Sequence, residues 1–162
     1  MARLVLTDAS PLIGLARVNG LLWLPQLFGE VSMPLEVRQE VLADKGAPDE
    51  SAILAAEESG WLKVFGPTPE TPELPELDEG ESACIRIALA NSGAGLLLMD
   101  ERAGRAIAME HGLQVAGTAA VIGLARTRNL IHSAREVFAR LHASDFRIAA
   151  QVIEAVLRRV GE

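Results

Sequence analysis

Two carboxylates in the sequence each follow a short apolar run and precede a helical segment. Leu4–Leu6 leads to Thr7 and Asp8, and Leu96–Met99 leads to Asp100. A carboxylate that follows a buried strand costs free energy unless it is hydrogen-bonded, paired or bound to a metal ion. Asp8 and Asp100 are therefore candidates for a site with metal or acid chemistry. The structural alternative is that each residue caps the helix that follows it.

A glutamate on a predicted helix could complete such a site. A helical segment spans about 34–43, and Glu40 lies beside its apolar stripe rather than opposite to it. Glu40 is therefore expected to border the core and not to point directly into water. The alternative is that Glu40, or Glu36 one turn earlier, forms a surface ion pair with Arg38 or Lys45.

A second glutamate also has two interpretations. The helical segment 80–91 places Glu81 on the face that borders the core. Asp78, three residues earlier, is suited to be the N-cap of this helix, with Glu81 as its reciprocal capping-box partner. If Glu81 instead turns towards Asp8 and Asp100, the carboxylates form the set of hard oxygen ligands that Mg²⁺ or Mn²⁺ prefers.

The segments around these acids indicate how they are positioned. Ser10 is predicted to cap a helix that has Pro11 as its first residue. Continuous apolar runs that alternate with helices are typical of a parallel sheet covered on both faces, and sites in such sheets form at the carboxyl ends of the strands. We therefore predict an α/β fold whose sheet brings Asp8 and Asp100 to the same edge.

The rest of the chain is predicted to be mainly helical. Gly66 to Glu79 holds four prolines among acidic residues and is predicted to be a loop. The further predicted elements are a strand at 61–65 and helices at 49–59, 101–111, 117–128, 133–142 and 147–160.

The composition is typical of one globular domain. With 162 residues, 49% of them hydrophobic, the chain can bury a core of its own, and we expect residues 1–162 to form one domain. The single cysteine, Cys84, excludes an internal disulfide, and no spacing of Cys or His indicates a zinc site. Neither a signal peptide nor a membrane-spanning segment is predicted, so a cytoplasmic protein is expected.

The net charge of −7 at first argues against a nucleic-acid partner, because phosphate groups are normally bound by clustered Lys and Arg. Residues 1–100 carry 16 acidic and 6 basic side chains, whereas residues 101–162 carry 9 arginines and 6 acids. Metal ions bound to the N-terminal acids would offset part of their charge. A nucleic-acid partner is therefore compatible with the composition, and any basic face belongs to the C-terminal part.

Four segments of the sequence resemble those of the PIN domain. They are Thr7–Ile13, Val37–Glu40, Gly80–Ala83 and Leu98–Arg105, and together they span most of the chain. The sequence most resembles a bacterial and archaeal branch of predicted nucleic-acid-binding proteins that is related to the VapC toxin ribonucleases. The order and spacing of the four acids carry the resemblance, since each motif alone is weakly specific.

This resemblance implies a PIN-like three-layer α/β/α fold with a central parallel sheet. It implies a metal-dependent ribonuclease, which could act as a toxin that an antitoxin protein inhibits. In this ribonuclease Asp8, Glu40, Glu81 and Asp100 would bind one or two Mg²⁺ or Mn²⁺ ions. Three further residues are implied as substrate-binding neighbours, namely Ser10, Arg105 and Thr118. Their structural alternatives are, in that order, a helix cap, a solvated charge and the start of a helix.

One departure from the family pattern keeps a second function open. Many toxin-type members carry a Thr-x-Asp segment and another acid or Asn shortly after it, whereas this chain has no Thr there and offers Glu101 after Asp100. The alternative is a PIN-like module without catalysis that acts through protein or nucleic-acid binding. Its aliphatic C-terminal helix, 148–160, favours a homodimer or an antitoxin contact. A phosphotransfer enzyme with Asp8 as nucleophile is disfavoured, because Ser10 replaces the usual second Asp.

Overall fold

A five-stranded sheet forms the centre of the structure, a computed structural model that describes residues 3–43, 46–92 and 95–162. Its strands are β1 (Leu4–Thr7), β2 (Val31–Pro34), β3 (Leu62–Phe65), β4 (Gly95–Leu98) and β5 (Gln114–Ala116). They are ordered β3-β2-β1-β4-β5, and every neighbouring pair is parallel. The strand order reverses at β1, and parallel sheets form binding crevices at the carboxyl ends beside such a reversal.

Helices lie between the strands and cover the sheet. Within the described ranges they are α1 (Ala9–Arg17), α2 (Trp23–Phe28), α3 (Leu35–Val41), α4 (Pro48–Glu58), α5 (Glu79–Ala90), α6 (Arg102–Glu110), α7 (Thr118–Thr127), α8 (Ala134–Ala143) and α9 (Ala150–Arg159). The predicted three-layer α/β/α fold with a central parallel sheet is confirmed. None of these helices is long and apolar enough to cross a membrane.

The central strands owe their position to their apolar sequences. Leu6 of β1 and both Leu97 and Leu98 of β4 are almost completely buried, because helices pack on both faces of the sheet. The edge strand β3 has a different pattern, in which Lys63 and Val64 are exposed. The continuous apolar runs that predicted β1 and β4 therefore mark two of the three inner strands of the sheet.

Two of the strands were not predicted from the sequence. In β2, Ser32 and Pro34 interrupt the apolar run, and Pro34 was predicted to begin a helix; it is instead the last residue of the strand and the N-cap of α3. The three residues of β5 are too few to give a periodic pattern. Both strands exist because neighbouring strands supply hydrogen-bonding partners, which a local pattern does not reveal.

One glycine determines how closely β1 and β4 pair. A Cβ atom at Gly95 would lie 2.5 Å from the carbonyl oxygen of Leu4, its register partner on β1. Because this oxygen belongs to the backbone, it cannot move aside unless the strand moves with it. The absence of a side chain at Gly95 therefore permits the pairing of the two strands that precede Asp8 and Asp100.

We expect Gly95→Ala to lower the free energy of unfolding by about 2 kcal/mol, a usual cost of overpacking. Urea denaturation followed by circular dichroism measures the change. Gly66→Ala is the control, since the nearest neighbouring atom to its Cβ position, the Thr68 nitrogen, is 3.9 Å away. It should alter stability by less than about 0.5 kcal/mol. Equal stability of the two variants would contradict the close approach at Gly95.

Candidate functional site

The carboxyl ends of β1 and β4 lie side by side. Thr7 pairs with Leu98 in the parallel register, and the backbone N–H of Asp8 donates to the carbonyl oxygen of Leu98 at 2.9 Å. Asp8 and Asp100 therefore leave the sheet at the same edge, next to the reversal of strand order, as the two strand–acid–helix units predict. We call this edge, with Asp8, Glu40, Asp78, Glu81 and Asp100, the acidic edge.

Asp8 is buried among other acids. Only 4% of its surface is exposed. Its pKa is raised to about 7, first because burial removes water from the carboxylate, and further by the negative charges of Asp78, Glu81 and Glu40. A hydrogen bond from the backbone of Ala9 opposes this rise in pKa without cancelling it. Asp8 is therefore a carboxylate whose charge is unfavourable unless a proton or a cation accompanies it.

Two glycines allow helices to approach these carboxylates closely. A Cβ atom at Gly80 on α5 would lie 2.9 Å from Oδ1 of Asp8. A Cβ atom at Gly104 on α6 would lie 2.7 Å from Oε2 of Glu81 and also 2.7 Å from the sulfur of Met99. The burial of these acids thus depends on the absence of a side chain at one glycine of α5 and one glycine of α6.

Glu81 combines the two roles that the sequence left open. Its backbone N–H donates to Oδ1 of Asp78 at 2.8 Å, and the backbone N–H of Asp78 donates to Oε1 of Glu81 at 3.2 Å, so the predicted capping box is confirmed. Oε2 is buried and has no hydrogen-bond partner among the described residues. Burial raises the pKa of Glu81, and the charges of Asp78, Glu101 and Glu40 raise it further against the effect of the capping hydrogen bond. One carboxylate oxygen is therefore left for a cation or a proton.

Glu40 lies at the rim of this group. It is exposed to solvent, more so than its position beside the apolar stripe of α3 predicts. Its pKa is nevertheless raised, first by partial burial and then by the charge of Asp78. The predicted pairing with Arg38 does not occur, because Arg38 forms two hydrogen bonds with Glu57 at 2.7 and 3.0 Å. Lys45, the other predicted partner, lies outside the described residues.

Asp100 is held by hydrogen bonds from two separate segments. The hydroxyl groups of Ser10 and Thr118 donate to Oδ2 at 2.9 and 2.7 Å, and the backbone N–H of Thr118 donates to Oδ1 at 2.7 Å. Thr118 is fully buried as the first residue of α7, in agreement with the predicted helix start. These bonds fix the orientation of the carboxylate and connect the first turns of α1 and α7 to the segment that follows β4.

The predicted helix cap at Ser10 was wrong, and so was the structural alternative in which Asp100 caps the helix that follows it. The N-cap of α1 is Asp8 and not Ser10, and the N-cap of α6 is Glu101 and not Asp100. In both cases the polar side chain forms a bond across the sheet edge instead of a local one: Ser10 donates to Asp100, and Asp100 accepts from the start of α7. Tertiary contacts have therefore replaced the local caps that the sequence suggested.

Arg105 lies beside Asp100 rather than on a fully solvated face. Its Nη1 donates to the carbonyl oxygen of Met99 at 3.0 Å, and the residue is half-buried. A Cβ atom at Gly117 would lie 2.9 Å from Oδ1 of Asp100 and 3.1 Å from Nη1 of Arg105. Both groups therefore face the backbone of Gly117, and a guanidinium group is available close to the carboxylate.

The four predicted ligands form two adjacent groups. Asp8, Glu81 and the exposed Glu40 influence one another electrostatically, whereas Asp100 is turned towards Ser10 and Thr118. Among the residues described, no three Asp, Glu, His or Cys side chains are arranged so that they could hold a metal ion. The chemistry of the residues nevertheless fits a divalent cation, because carboxylate oxygens are the ligands that Mg²⁺ and Mn²⁺ prefer and Oε2 of Glu81 lacks a partner.

A comparison with protein-family models identifies the family. The model of a PIN domain matches residues 4–162. The chain belongs to the PIN-domain family. The resemblance predicted from the four acidic segments is thereby confirmed, and membership indicates a nuclease-related protein that binds nucleic acid and a fold that typically uses divalent metal ions. Comparisons with curated proteins and with solved structures found no match.

Asp78 is the residue of this PIN domain that the sequence interpretation missed as part of the site. It was predicted only to cap α5, and it does so. Its charge also raises the pKa of Asp8, Glu40 and Glu81. A signal was present, because Asp78 precedes Glu81 by one helical turn and helix N-termini lie at the carboxyl edge of a parallel sheet.

Asp8→Asn is expected to stabilise the metal-free PIN domain at pH 8. The folded carboxyl group gives up its proton near pH 7, whereas the unfolded chain does so near pH 3.8. The wild-type protein therefore loses stability as the pH rises between these values, by on the order of 4 kcal/mol in total. Asparagine has no proton to lose, so the variant should avoid that loss.

Thermal unfolding in EDTA at several pH values measures this effect. The advantage in Tm of Asp8→Asn should be largest above pH 7 and nearly absent at pH 4. Asp145→Asn is the control, because Asp145 is exposed and its backbone, with φ of 65°, also suits asparagine. A difference in Tm that does not vary with pH would contradict the raised pKa of Asp8.

Thr118→Val is expected to destabilise the protein by about 2 kcal/mol, because the half-buried carboxylate of Asp100 loses a charge-assisted hydrogen bond from a fully buried hydroxyl. Urea denaturation measures the change. Thr127→Val is a matched control on the same helix, since its hydroxyl donates to the backbone oxygen of Gly123 and the residue is exposed. If both variants lose the same free energy of unfolding, the hydrogen bond to Asp100 stabilises the protein no more than the hydrogen bond of Thr127 does.

Proposed function

We propose that this PIN domain is a cytoplasmic, metal-dependent endoribonuclease that hydrolyses RNA phosphodiester bonds. Asp8, Glu40, Glu81 and Asp100 would hold one or two Mg²⁺ or Mn²⁺ ions. The observation that supports this most is the burial of Asp8 among other acids, beside Asp100 at the reversal of strand order. A buried carboxylate with a strongly raised pKa is costly to the fold, and such groups concentrate at functional sites.

Bound divalent ions would supply a water nucleophile at neutral pH and stabilise the charge of the departing oxygen. The residues of the chain have separate tasks. Asp8 and the free Oε2 of Glu81 would provide oxygen ligands from the β1 side of the edge. Ser10 and Thr118 would keep the carboxylate of Asp100 in one orientation on the β4 side. Asp100 would then be ready to bind without a further loss of side-chain entropy.

The β4 side of the acidic edge also offers groups that attract phosphate. Helices α6 and α7 both begin there, so their positive dipole ends face that side. Arg102 is the exposed first residue of α6, and Arg105 follows one turn later. We therefore propose that the RNA backbone approaches from α6, with Arg105 and Thr118 as substrate neighbours, and not from the acidic segment before α5.

A PIN-like module without catalysis is the second candidate. It is favoured by the lack of a ready three-ligand group in the described ranges and by exposed apolar side chains on the C-terminal helices, Leu124 of α7 and Val152 of α9. Helices α7 and α9 pack closely at Gly123, where a Cβ atom would lie 3.0 Å from the side chain of Val156. A homodimer or an antitoxin protein would cover this pair of helices.

The purified protein is expected to cleave a fluorescently labelled RNA in Mg²⁺ or Mn²⁺ and not in EDTA. Asp8→Asn and Asp100→Asn should each reduce the rate at least about a hundredfold, which corresponds to about 2.7 kcal/mol in the barrier. Asp145→Asn should leave the rate unchanged. A single-stranded DNA of the same sequence tests the choice of substrate.

Binding of Mn²⁺, measured by the rise in Tm of the same proteins, separates the two candidates. Stabilisation of the wild type by Mn²⁺ that is lost in Asp8→Asn, together with cleavage, supports the nuclease. Stabilisation without cleavage of any nucleic acid supports the module without catalysis. If the wild type neither binds Mn²⁺ nor cleaves RNA, the proposed site is wrong.

A further inference from the structure

A groove with a volume of about 650 Å³ lies at the end of α1 that is remote from the acidic edge. The end of α1 and the start of α2 line one side, α8 lines the other, and residues 130–133 between α7 and α8 complete the lining. Helix α1 begins after Asp8, so about 13 Å of helix separates the groove from the acidic edge. The volume is within the range of clefts that bind ligands.

Two fixed helix ends shape this groove. Both α1 and α7 are followed by an asparagine with positive φ, Asn19 at 55° and Asn129 at 61°. The next backbone N–H then donates to a carbonyl oxygen five residues earlier, at 2.7 Å from Gly20 and at 2.8 Å from Leu130. This is the Schellman arrangement, which satisfies the carbonyl groups at a helix end. A partner would therefore bind without first having to order these two turns.

The inner surface of the groove is apolar. Val18, Trp23 and Val137 line it and are at most 8% exposed. Leu130 and Ile131 are half-buried and add aliphatic surface. Because Trp23 exposes so little of its ring, it offers no free face on which a nucleic-acid base could stack. The lining therefore favours aliphatic side chains of a protein over the bases of a nucleic acid.

The charges around the groove are mainly positive, although the whole chain has a net charge of −7. Residues 126–140 contain four arginines and one acid, Glu136. Two of these arginines contact Glu162. The other two, Arg128 and Arg140, are exposed and form no ion pair with another described residue. Because Arg140 lines the groove and Arg128 ends the neighbouring helix, carboxylates would be attracted there.

We propose that this groove binds an acidic amphipathic segment of a partner protein. Its aliphatic side chains would lie against Trp23 and Ile131, as in other grooves that accept the apolar face of a helix. Its carboxylates would pair with Arg128 and Arg140, since a guanidinium group can bind a carboxylate through two hydrogen bonds. On the opposite side, residues 9–29 include no acid that would repel it. The proposal does not depend on cleavage at the acidic edge, so the two can succeed or fail independently.

The test is an NMR titration of the ¹⁵N-labelled full chain in EDTA with a synthetic amphipathic helical peptide of leucine and glutamate. The same peptide with glutamine in place of glutamate, and an oligouridylate RNA, form the other two arms. The acidic peptide should shift the indole N–H resonance of Trp23 and the backbone resonances of Ile131 and Arg140. The indole resonance of Trp61, which does not line the groove, should stay in place.

Equal shifts with the glutamine peptide, or shifts of the Trp23 resonance by the RNA, would overturn the proposal. The absence of shifts with the acidic peptide at millimolar concentration would overturn it too. If the Trp23 resonance already moves when the protein alone is concentrated, a second copy of the chain occupies the groove, and the proposed partner is wrong.

Charge variants give opposite expectations within the groove. Arg140→Gln should weaken the binding of the acidic peptide about threefold, the size expected for one exposed ion pair. Glu136→Gln removes the one acid among the described lining residues, so it should strengthen binding by a similar factor. Arg147→Gln is the control, because Arg147 is exposed and lies outside the lining. If this control weakens binding as much as Arg140→Gln does, the effect is one of net charge, and the groove is not the site.

Discussion

The parallel pairing of β1 with β4 is the constraint on which the rest of the structure depends. Strand order reverses at β1, so the chain leaves β1 and β4 at the same edge of the sheet and enters α1 and α6 there. This pairing requires the bare backbone of Gly95 against Leu4. It brings Asp8 and Asp100, which are far apart in the sequence, to adjacent positions. The hydrogen bonds of Asp100 to Ser10 and Thr118 depend on that juxtaposition.

The two sides of the acidic edge differ in how their charge is stabilised. Asp100 accepts three hydrogen bonds from Ser10 and Thr118, so both of its carboxylate oxygens already have partners within the protein. Asp8 and Glu81 are buried beside other acids, and their raised pKa values reflect charge that the protein leaves uncompensated. One side is therefore ordered in advance, while the other gains from any cation that binds. Such a division is expected at a functional site, where a protein retains buried carboxylates although they lower the free energy of unfolding.

Charge is also divided over the surface around the acidic edge. Arg102 and Arg105 lie on the β4 side with the starts of α6 and α7, whereas the segment before α5 is acidic throughout. A polyanion is therefore attracted to the β4 side of this edge and repelled by the segment before α5. The net charge of −7 does not reveal this division, because it adds the positive charges on the β4 side to the negative charges of the segment before α5.

The sequence by itself determined the features that depend on neighbouring residues. Apolar runs followed by an acid predicted β1 and β4, and the spacing of Asp78 and Glu81 predicted the capping box, because strands, helices and caps arise within a few residues. Only the tertiary structure decided the partner of Ser10, which lies 90 residues away, and the exposure of Glu40. It also decided the effect of Asp78 on its neighbours, since charges interact through space and burial is fixed by packing.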